Sequence, residues 1–280
     1  MNSLRLRPWR LWLLVATTAP AWAGTLTTSF LTPSQYSATL GDSVMLRWNA
    51  GAAKDAQPVA WPSGEVNWLF IRGGGEQENR HDVRPQHASD NFITLKIEQP
   101  AVTLVGAERP VVREVTGAEL RTFLEQNVAG DTTAPDANRL AADRKYRVRD
   151  IASAKTLIRV PTADGQTVPS AIATSKTGLA GEIRPQFDPT AAPVGSDLPL
   201  TIYVNGDKRP DAKIQATNVA TGKTTTMIAD PSGSTHFRVT DTGVWRVEFH
   251  WAQPLQNDPA ADWVVYNATL TFEVTKGGAQ

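Results

Sequence analysis

The stretch 181–204 restricts the fold most, because it excludes a helix and then alternates with a period of two. Pro185 and Pro189 each lack a backbone N–H and push the preceding residue towards extended geometry. Apolar side chains then recur at every second position of residues 198–204, which is the pattern of a half-buried strand. Asn205-Gly206 follows, and this dipeptide favours the positive φ angles of a tight hairpin. The stretch therefore predicts an antiparallel β domain.

The same pattern continues to the C-terminus. One face of a predicted strand carries the large apolar residues Trp245, Val247, Phe249 and Trp251. Its other face carries Arg246, Glu248 and His250, so we expect His250, like His236, to be a surface histidine. A last alternating strand covers residues 264–274. These strands predict an Ig-like β-sandwich over residues 176–276.

The N-terminal half shows short alternating strands between glycine and proline turns, near residues 44–48, 66–70, 93–97, 102–105 and 111–115. One segment differs, because Thr116 and Glu119 form a capping box before apolar residues at helical spacing. We expect one short helix over about 117–128 inside a first β domain, 24–165. The loop 161–180 is rich in small and polar residues and predicts the boundary. The expected fold class is all-β, with two antiparallel β-sandwich domains, Ig-like or jelly-roll-like, and one short helix in the first.

The first 23 residues have the features of a secretory signal peptide. Three arginines precede an apolar run that is too short to span a bilayer, and Ala21-Trp22-Ala23 forms a small-x-small cleavage site. We expect cleavage after Ala23, a periplasmic protein and no membrane span in the mature chain. Without the three arginines, 25 of the 28 basic residues remain against 28 acidic ones. This balance gives no electrostatic reason to expect nucleic acid as a partner.

Candidate chemistry is sparse. The chain has no cysteine and no nucleophile elbow, paired-carboxylate motif or phosphate-binding glycine loop, so we expect no enzyme activity and no cofactor. His81 and His87, with Asp82 and Asp90, offer the residue types of a divalent-metal site. The alternative is an ordinary solvated loop, because the spacing matches no compact motif. The basic segment 144–149 is either a ligand-facing patch or a solvated strand edge.

Nine tryptophans allow a sugar-binding interpretation, but Trp48, Trp68, Trp245 and Trp251 have the inward phase of core residues. Trp263 has the outward phase of its predicted strand, and Trp61 is unconstrained. We therefore expect most of the tryptophans to belong to the core.

Several short motifs carry a resemblance to a known family: Ala154-Lys155-Thr156-Leu157, Glu182-Ile183, Asp188-Pro189, Val194-Gly195, Asn205-Gly206, Gly243-Val244-Trp245 and residues 268–274. They resemble the bacterial periplasmic family known as domain of unknown function 4198, some members of which are associated with nickel or cobalt uptake. The resemblance implies an Ig-like or jelly-roll-like β architecture and a non-enzymatic secreted role. Metal-linked members typically carry a histidine near the mature N-terminus, whereas residues 24–30 of this chain contain none.

Residues and resemblance together predict a secreted, periplasmic, non-catalytic binding or transport-accessory protein whose partner is an unknown small ligand or an envelope protein. Two alternatives stay open. One is a structural or envelope-assembly β-sandwich module, and the other is an accessory of nickel or cobalt uptake.

Overall fold

The structure is a computed structural model that describes residues 26–51, 56–59, 66–71, 77–87, 90–128, 137–162, 164–166 and 168–276. These residues form β-strands and one α-helix, arranged in sandwich-like sheets, which confirms the predicted fold class. The predicted signal peptide, residues 1–23, lies outside them. No helix within the described ranges is long and apolar enough to cross a membrane.

The first half contains β1 (Ser29–Pro33), β2 (Ser43–Ala50), β3 (Gln57–Pro58), β4 (Asn67–Ile71), β5 (Gln77–Arg80), β6 (Phe92–Lys96), β7 (Ala101–Thr116), α1 (Gly117–Asn127) and β8 (Lys145–Val160). The second half contains β9 (Gly181–Pro185), β10 (Asp197–Val204), β11 (Asp207–Lys208), β12 (Lys213–Asn218), β13 (Thr224–Ile228), β14 (Ser234–Arg238), β15 (Gly243–Pro254) and β16 (Trp263–Val274). Two short 3-10 helices cover Ala171–Thr174 and Pro189–Ala191.

One large sheet runs through both halves of the chain. Its eight strands follow the order β13-β12-β15-β16-β8-β7-β4-β5. Strands β16 and β8 pair in parallel, from Trp263 opposite Val148 to Thr271 opposite Thr156, and the other neighbours are antiparallel. Two smaller sheets accompany it, one formed by β1, β2, β3 and β6 and the other by β9, β10, β11 and β14. The β16–β8 pair therefore joins the halves by backbone hydrogen bonds.

The cores follow the sheets rather than the predicted boundary at 161–180. One cluster lies within the first half and includes Trp48, Trp68 and Ile93. The largest cluster combines second-half residues with five from the first half, Leu69, Ile71, Val102, Leu104 and Leu157. The division into domains 24–165 and 176–276 stays a prediction, but the halves share both a sheet and a core.

Two locally encoded features agree with the sequence. Thr116 and Glu119 form the predicted capping box at the start of α1. Asn205 and Gly206 have φ angles of 52° and 85°, and Val204 pairs with Asp207 across that turn. The predicted strands near 102–105 and 111–115 merge into the continuous β7, which pairs with β8 along its whole length.

Candidate functional site

The loop that holds His81 and His87 gives each histidine a partner of its own. His81 Nδ1 lies 2.8 Å from Asn67 Oδ1, and His87 Nδ1 lies 3.1 Å from Asp90 Oδ2. Asp82 is bound instead by Arg80, with 2.7 Å between Nε and Oδ1. That hydrogen bond from Arg80 lowers the pKa of Asp82 to about 2. The four candidate ligands are thus divided among separate contacts.

Divalent transition metals in proteins need several imidazole or carboxylate ligands at one point. No group of three or more His, Cys, Asp or Glu side chains that could hold a metal ion occurs among the residues the structure describes. Metal binding at His81 and His87 stays a prediction, and it would require the loop to rearrange.

His250 departs from its expected place at the surface, whereas His236 is exposed. His250 is only 4 % exposed, and its ring packs edge to face against the ring of Phe123, with 5.3 Å between the ring centres. Nε2 lies 3.2 Å from Thr28 Oγ1. Burial lowers the pKa of His250 to about 4, and the charges of Arg246 and Lys213 add to the effect. The prediction was wrong because α1 and the segment around Thr28 cover this face of β15.

The N-terminal segment is fixed on β16 by a row of side-chain hydrogen bonds. Asn267 Nδ2 donates to the carbonyl oxygen of Thr27 at 2.8 Å. Thr269 Oγ1 donates to Ser29 O at 3.0 Å, and Thr271 Oγ1 donates to Leu31 O at 2.9 Å. The polar residues of β16 thus satisfy carbonyl groups that would otherwise be buried without partners.

Arg246 and Glu248 lie under the same segment and form a buried pair, with 2.9 Å between Nε and Oε2. Arg246 Nη1 also donates to Gly51 O at 3.0 Å, and its guanidinium lies 4.6 Å from the ring centre of Phe30. Burial raises the pKa of Glu248, and the charge of Arg246 opposes that shift. The sequence places these two residues on the polar face of their strand, and in the structure that face joins β15 to the N-terminal segment.

The motifs behind the family resemblance have internal structural contacts. Lys155 Nζ lies 3.0 Å from Glu182 Oε1, and both side chains are buried. Asp188 caps the second 3-10 helix, because Oδ1 accepts from the N–H of Thr190 at 2.9 Å and Oδ2 accepts from Ser170 N–H at 2.9 Å. Burial raises the pKa of Asp188 against these hydrogen bonds. The motif residues thus hold β8, β9 and their connections together.

The basic segment 144–149 is occupied by acidic partners. Arg147 Nη2 lies 3.4 Å from Asp262 Oδ1, and Arg149 Nη2 lies 2.9 Å from Asp258 Oδ2. Lys145 approaches Glu114 at 3.5 Å. These contacts argue against the ligand-facing patch. The alternative of a strand edge is also wrong from Val148 onward, because β8 there lies between β7 and β16.

The tryptophans within the described residues are buried, as expected for most of them. Trp48 and Trp68 pack edge to face at 6.2 Å. Trp263 has the predicted phase, opposite to that of Val264, but its face of β16 is covered: Trp263 is 4 % exposed and packs with Val265 in the cluster beneath α1. Trp61 lies outside the described residues. An aromatic sugar-binding surface therefore has no support from these side chains.

An open apolar groove lies along α1, beside the point where the described chain begins. Its volume is ≈ 350 Å³. We call it the α1 groove, and it is lined by Leu26, Val115, Ala118, Glu119, Thr122, Phe123, Gln126 and Asn127. In the capping box, Glu119 Oε2 accepts hydrogen bonds from the N–H of Thr116 at 2.7 Å and from its hydroxyl at 2.9 Å. These two hydrogen bonds lower the pKa of Glu119. The groove could not be expected from the sequence, because only the fold brings Leu26 to α1.

Comparison with known proteins identifies no family. No family profile matches the chain, and no curated protein matches it. Among solved structures, a two-domain fibronectin type III segment of chicken tenascin is 10% identical, with 79% of this chain and 89% of that one covered and a TM-score of 0.19. A bacterial ice-binding adhesin is 11% identical over 90% of this chain and 65% of its own, with a TM-score of 0.23. An amphioxus IgVJ-C2 molecule is 10% identical over 85% and 99%, with a TM-score of 0.19. Scores this low support no statement about function.

Proposed function

We propose that this protein is an exported, non-catalytic binding protein and that its ligand site is the α1 groove. The observation that carries the proposal is an open groove of ≈ 350 Å³ whose lining combines apolar and polar side chains. Small-molecule sites commonly have volumes of about 300–1,000 Å³ and combine apolar walls with a few polar groups. The groove has both properties.

The lining suggests the class of ligand. Leu26, Val115 and Phe123 supply apolar surface. Gln126 and Asn127 add side-chain amides, of which Asn127 Nδ2 donates to Phe123 O at 3.0 Å. Glu119 adds a carboxylate that would disfavour an anionic ligand. A small, neutral or cationic amphipathic molecule fits this combination best, with its apolar part against α1.

A non-catalytic role agrees with where the buried ionisable groups lie. Lys155, Glu182, Arg246 and Glu248 each have a charged partner inside the fold. None of these four side chains lines the α1 groove. The groove therefore offers binding surface without an adjacent pair of groups suited to acid–base or nucleophilic chemistry.

The continuous eight-stranded sheet favours a second candidate, a structural module of the cell envelope. Thermal unfolding of the secreted chain with small neutral and cationic amphiphiles separates the two. A ligand at 100 times its Kd should stabilise a binding protein by about 2.7 kcal/mol, whereas a structural module should respond to none of them. Intact mass of the same preparation checks the export step, for which we expect an N-terminus at Gly24.

A further inference from the structure

The edge strands of the three sheets differ in how they are protected from pairing with another chain. Natural edge strands are often blocked by charged side chains or by proline. Within the described residues, all but one of the edge strands have such a feature: Pro33 in β1, Pro58 in β3, Glu78 and Arg80 in β5, Lys96 in β6, Pro185 in β9, Asp207 and Lys208 in β11, and Arg238 in β14. Strand β13, Thr224-Thr225-Thr226-Met227-Ile228, has neither charge nor proline.

Strand β13 also has a free row of backbone groups. It pairs only with β12, in a register that places Thr217 opposite Thr224. At the end of that ladder, the N–H of Asn218 donates to Lys223 O at 3.0 Å. Because antiparallel hydrogen bonding alternates along a strand, Thr225 and Met227 also face β12. The N–H and C=O groups of Thr224, Thr226 and Ile228 therefore point away from the sheet.

We propose that β13 is the site at which a second copy of this chain pairs, antiparallel, about a two-fold axis at Thr226. In this register Thr226 lies opposite Thr226 of the copy, and Thr224 lies opposite Ile228. Each of the three opposed pairs exchanges two backbone hydrogen bonds, as in any hydrogen-bonded antiparallel pair. The two eight-stranded sheets become one continuous sheet.

Three features favour a second copy as the partner. The residues whose backbone groups point outward are centred on Thr226. Pairing about a two-fold axis there gives each of these N–H and C=O groups a hydrogen-bond partner. The strand carries no charge, so no like charges meet when it pairs with itself. Lys223 precedes the strand and Asp230 follows shortly after it, so an antiparallel copy brings ends of opposite charge together.

The side chains of β13 fit the same arrangement. Ile228 is 52 % exposed, which is unusual for so large an apolar residue in this protein. In the proposed register, Ile228 packs across the new strand pair against Thr224 of the copy. Neighbouring β-branched side chains of this kind stabilise strand pairs.

The absence of cysteine from the sequence allows a direct test by single-cysteine cross-linking. Directly opposed residues of a hydrogen-bonded pair have Cα atoms about 5.5 Å apart, within the range of a disulfide. We expect Thr226→Cys in the full secreted chain to form a covalent dimer on mild oxidation. Thr224→Cys is the matched control, because the two copies of residue 224 would lie about 13 Å apart along the strands. Equal cross-linking of both variants, or none by Thr226→Cys, would overturn the proposal.

Sedimentation velocity provides an independent measurement without cysteine. We expect the unmodified chain to shift from monomer to dimer as its concentration rises, and Ile228→Lys to stay monomeric. Val194→Lys, which alters a 45 % exposed apolar residue away from β13, should dimerise like the unmodified chain. A dimer that survives Ile228→Lys, or a chain that is monomeric throughout, would contradict pairing through β13.

Discussion

Lys155 of β8 and Glu182 of β9 form an ion pair in which Nζ and Oε1 are 3.0 Å apart and both side chains are at most 2 % exposed. Glu182 also accepts hydrogen bonds from the N–H and hydroxyl of Thr177 and from the N–H of Gly178. Burial acts to raise the pKa of Glu182, but Lys155 and these donors outweigh it and hold the pKa below its usual value. Burial lowers the pKa of Lys155, against the charge of Glu182. Because four donors surround the carboxylate, we treat the pair as ionised.

The first prediction concerns that pair. Lys155→Met leaves the carboxylate of Glu182 buried without its counter-charge, and such a loss typically costs about 3–5 kcal/mol. We expect Glu182→Leu alone to be similarly destabilising, because it strands the ammonium group. The double variant should be less destabilised than the sum of the two changes. Urea unfolding of all four proteins measures this, and additive effects of the two substitutions would refute the coupling.

The second prediction concerns pH and His250. The pKa of His250 is about 4 in the folded chain, against the usual histidine value of 6.5 expected in the unfolded chain. Between these two pH values the unfolded chain therefore binds more protons than the folded chain. The free energy of unfolding should therefore fall as the pH decreases from about 6.5 towards 4, by at most about 3 kcal/mol from this group. Above the ordinary pKa, the contribution of His250 is fully present.

Chemical denaturation at several pH values checks this effect of His250. We expect His250→Gln to have a weaker pH dependence than the unmodified chain over that window. His236→Gln, at an exposed histidine, is the matched control and should keep the original pH dependence. If His250→Gln and His236→Gln have the same profile, His250 does not carry the effect.

The third prediction concerns the two halves. The sequence predicts two separate domains, but in the structure β16 pairs with β8 over nine residue positions, from Trp263 to Thr271. Leu157 and four other first-half residues also belong to the largest core cluster. We therefore expect the fragment 176–280 to unfold at a lower temperature and less cooperatively than the chain of residues 24–280. Calorimetry showing a sharp transition of unchanged midpoint would instead support independent domains.

The fourth prediction concerns metal. His81 and His87 have separate partners, so binding one ion with both would require the loop to adopt a new fixed conformation. Fixing each residue costs about 1–2 kcal/mol of conformational entropy. We expect no Ni²⁺ or Co²⁺ site tighter than micromolar in a tag-free chain of residues 24–280. Isothermal titration tests this directly. Stoichiometric sub-micromolar binding that is lost in His81→Ala or His87→Ala would favour a role in metal uptake.

Features encoded by neighbouring residues could be predicted from the sequence. The turn at Asn205-Gly206 depends on the backbone preferences of two residues, and the cap of α1 depends on Thr116 and Glu119. Both follow from local chemistry, so an isolated sequence contains enough information to predict them.

Features that depend on distant segments could not be predicted in the same way. Alternation in β15 shows that two faces differ in polarity, but not that the polar face is covered. His250 is buried by Thr28, which lies 222 positions earlier in the chain, and by Phe123. The α1 groove likewise requires Leu26 to meet α1. Long-range packing therefore decides the candidate site.

The last prediction tests the binding role through two substitutions on α1. Ala118 is exposed and lines the α1 groove, so Ala118→Trp should fill the groove without disturbing the core. Glu125→Trp places the same side chain at another exposed position of α1 that does not line the groove. Any destabilisation that is common to both variants therefore does not come from filling the groove.

The most direct measurement is calorimetric titration of residues 24–280 and of these two variants with octanol and octylamine, which are small neutral and cationic amphiphiles. We predict saturable binding, with one site per chain, for the unmodified protein and for Glu125→Trp, and at least a tenfold weaker affinity for Ala118→Trp, which corresponds to about 1.4 kcal/mol. Equal binding by all three proteins, or no binding by the unmodified chain, would contradict the assignment of the α1 groove as the ligand site.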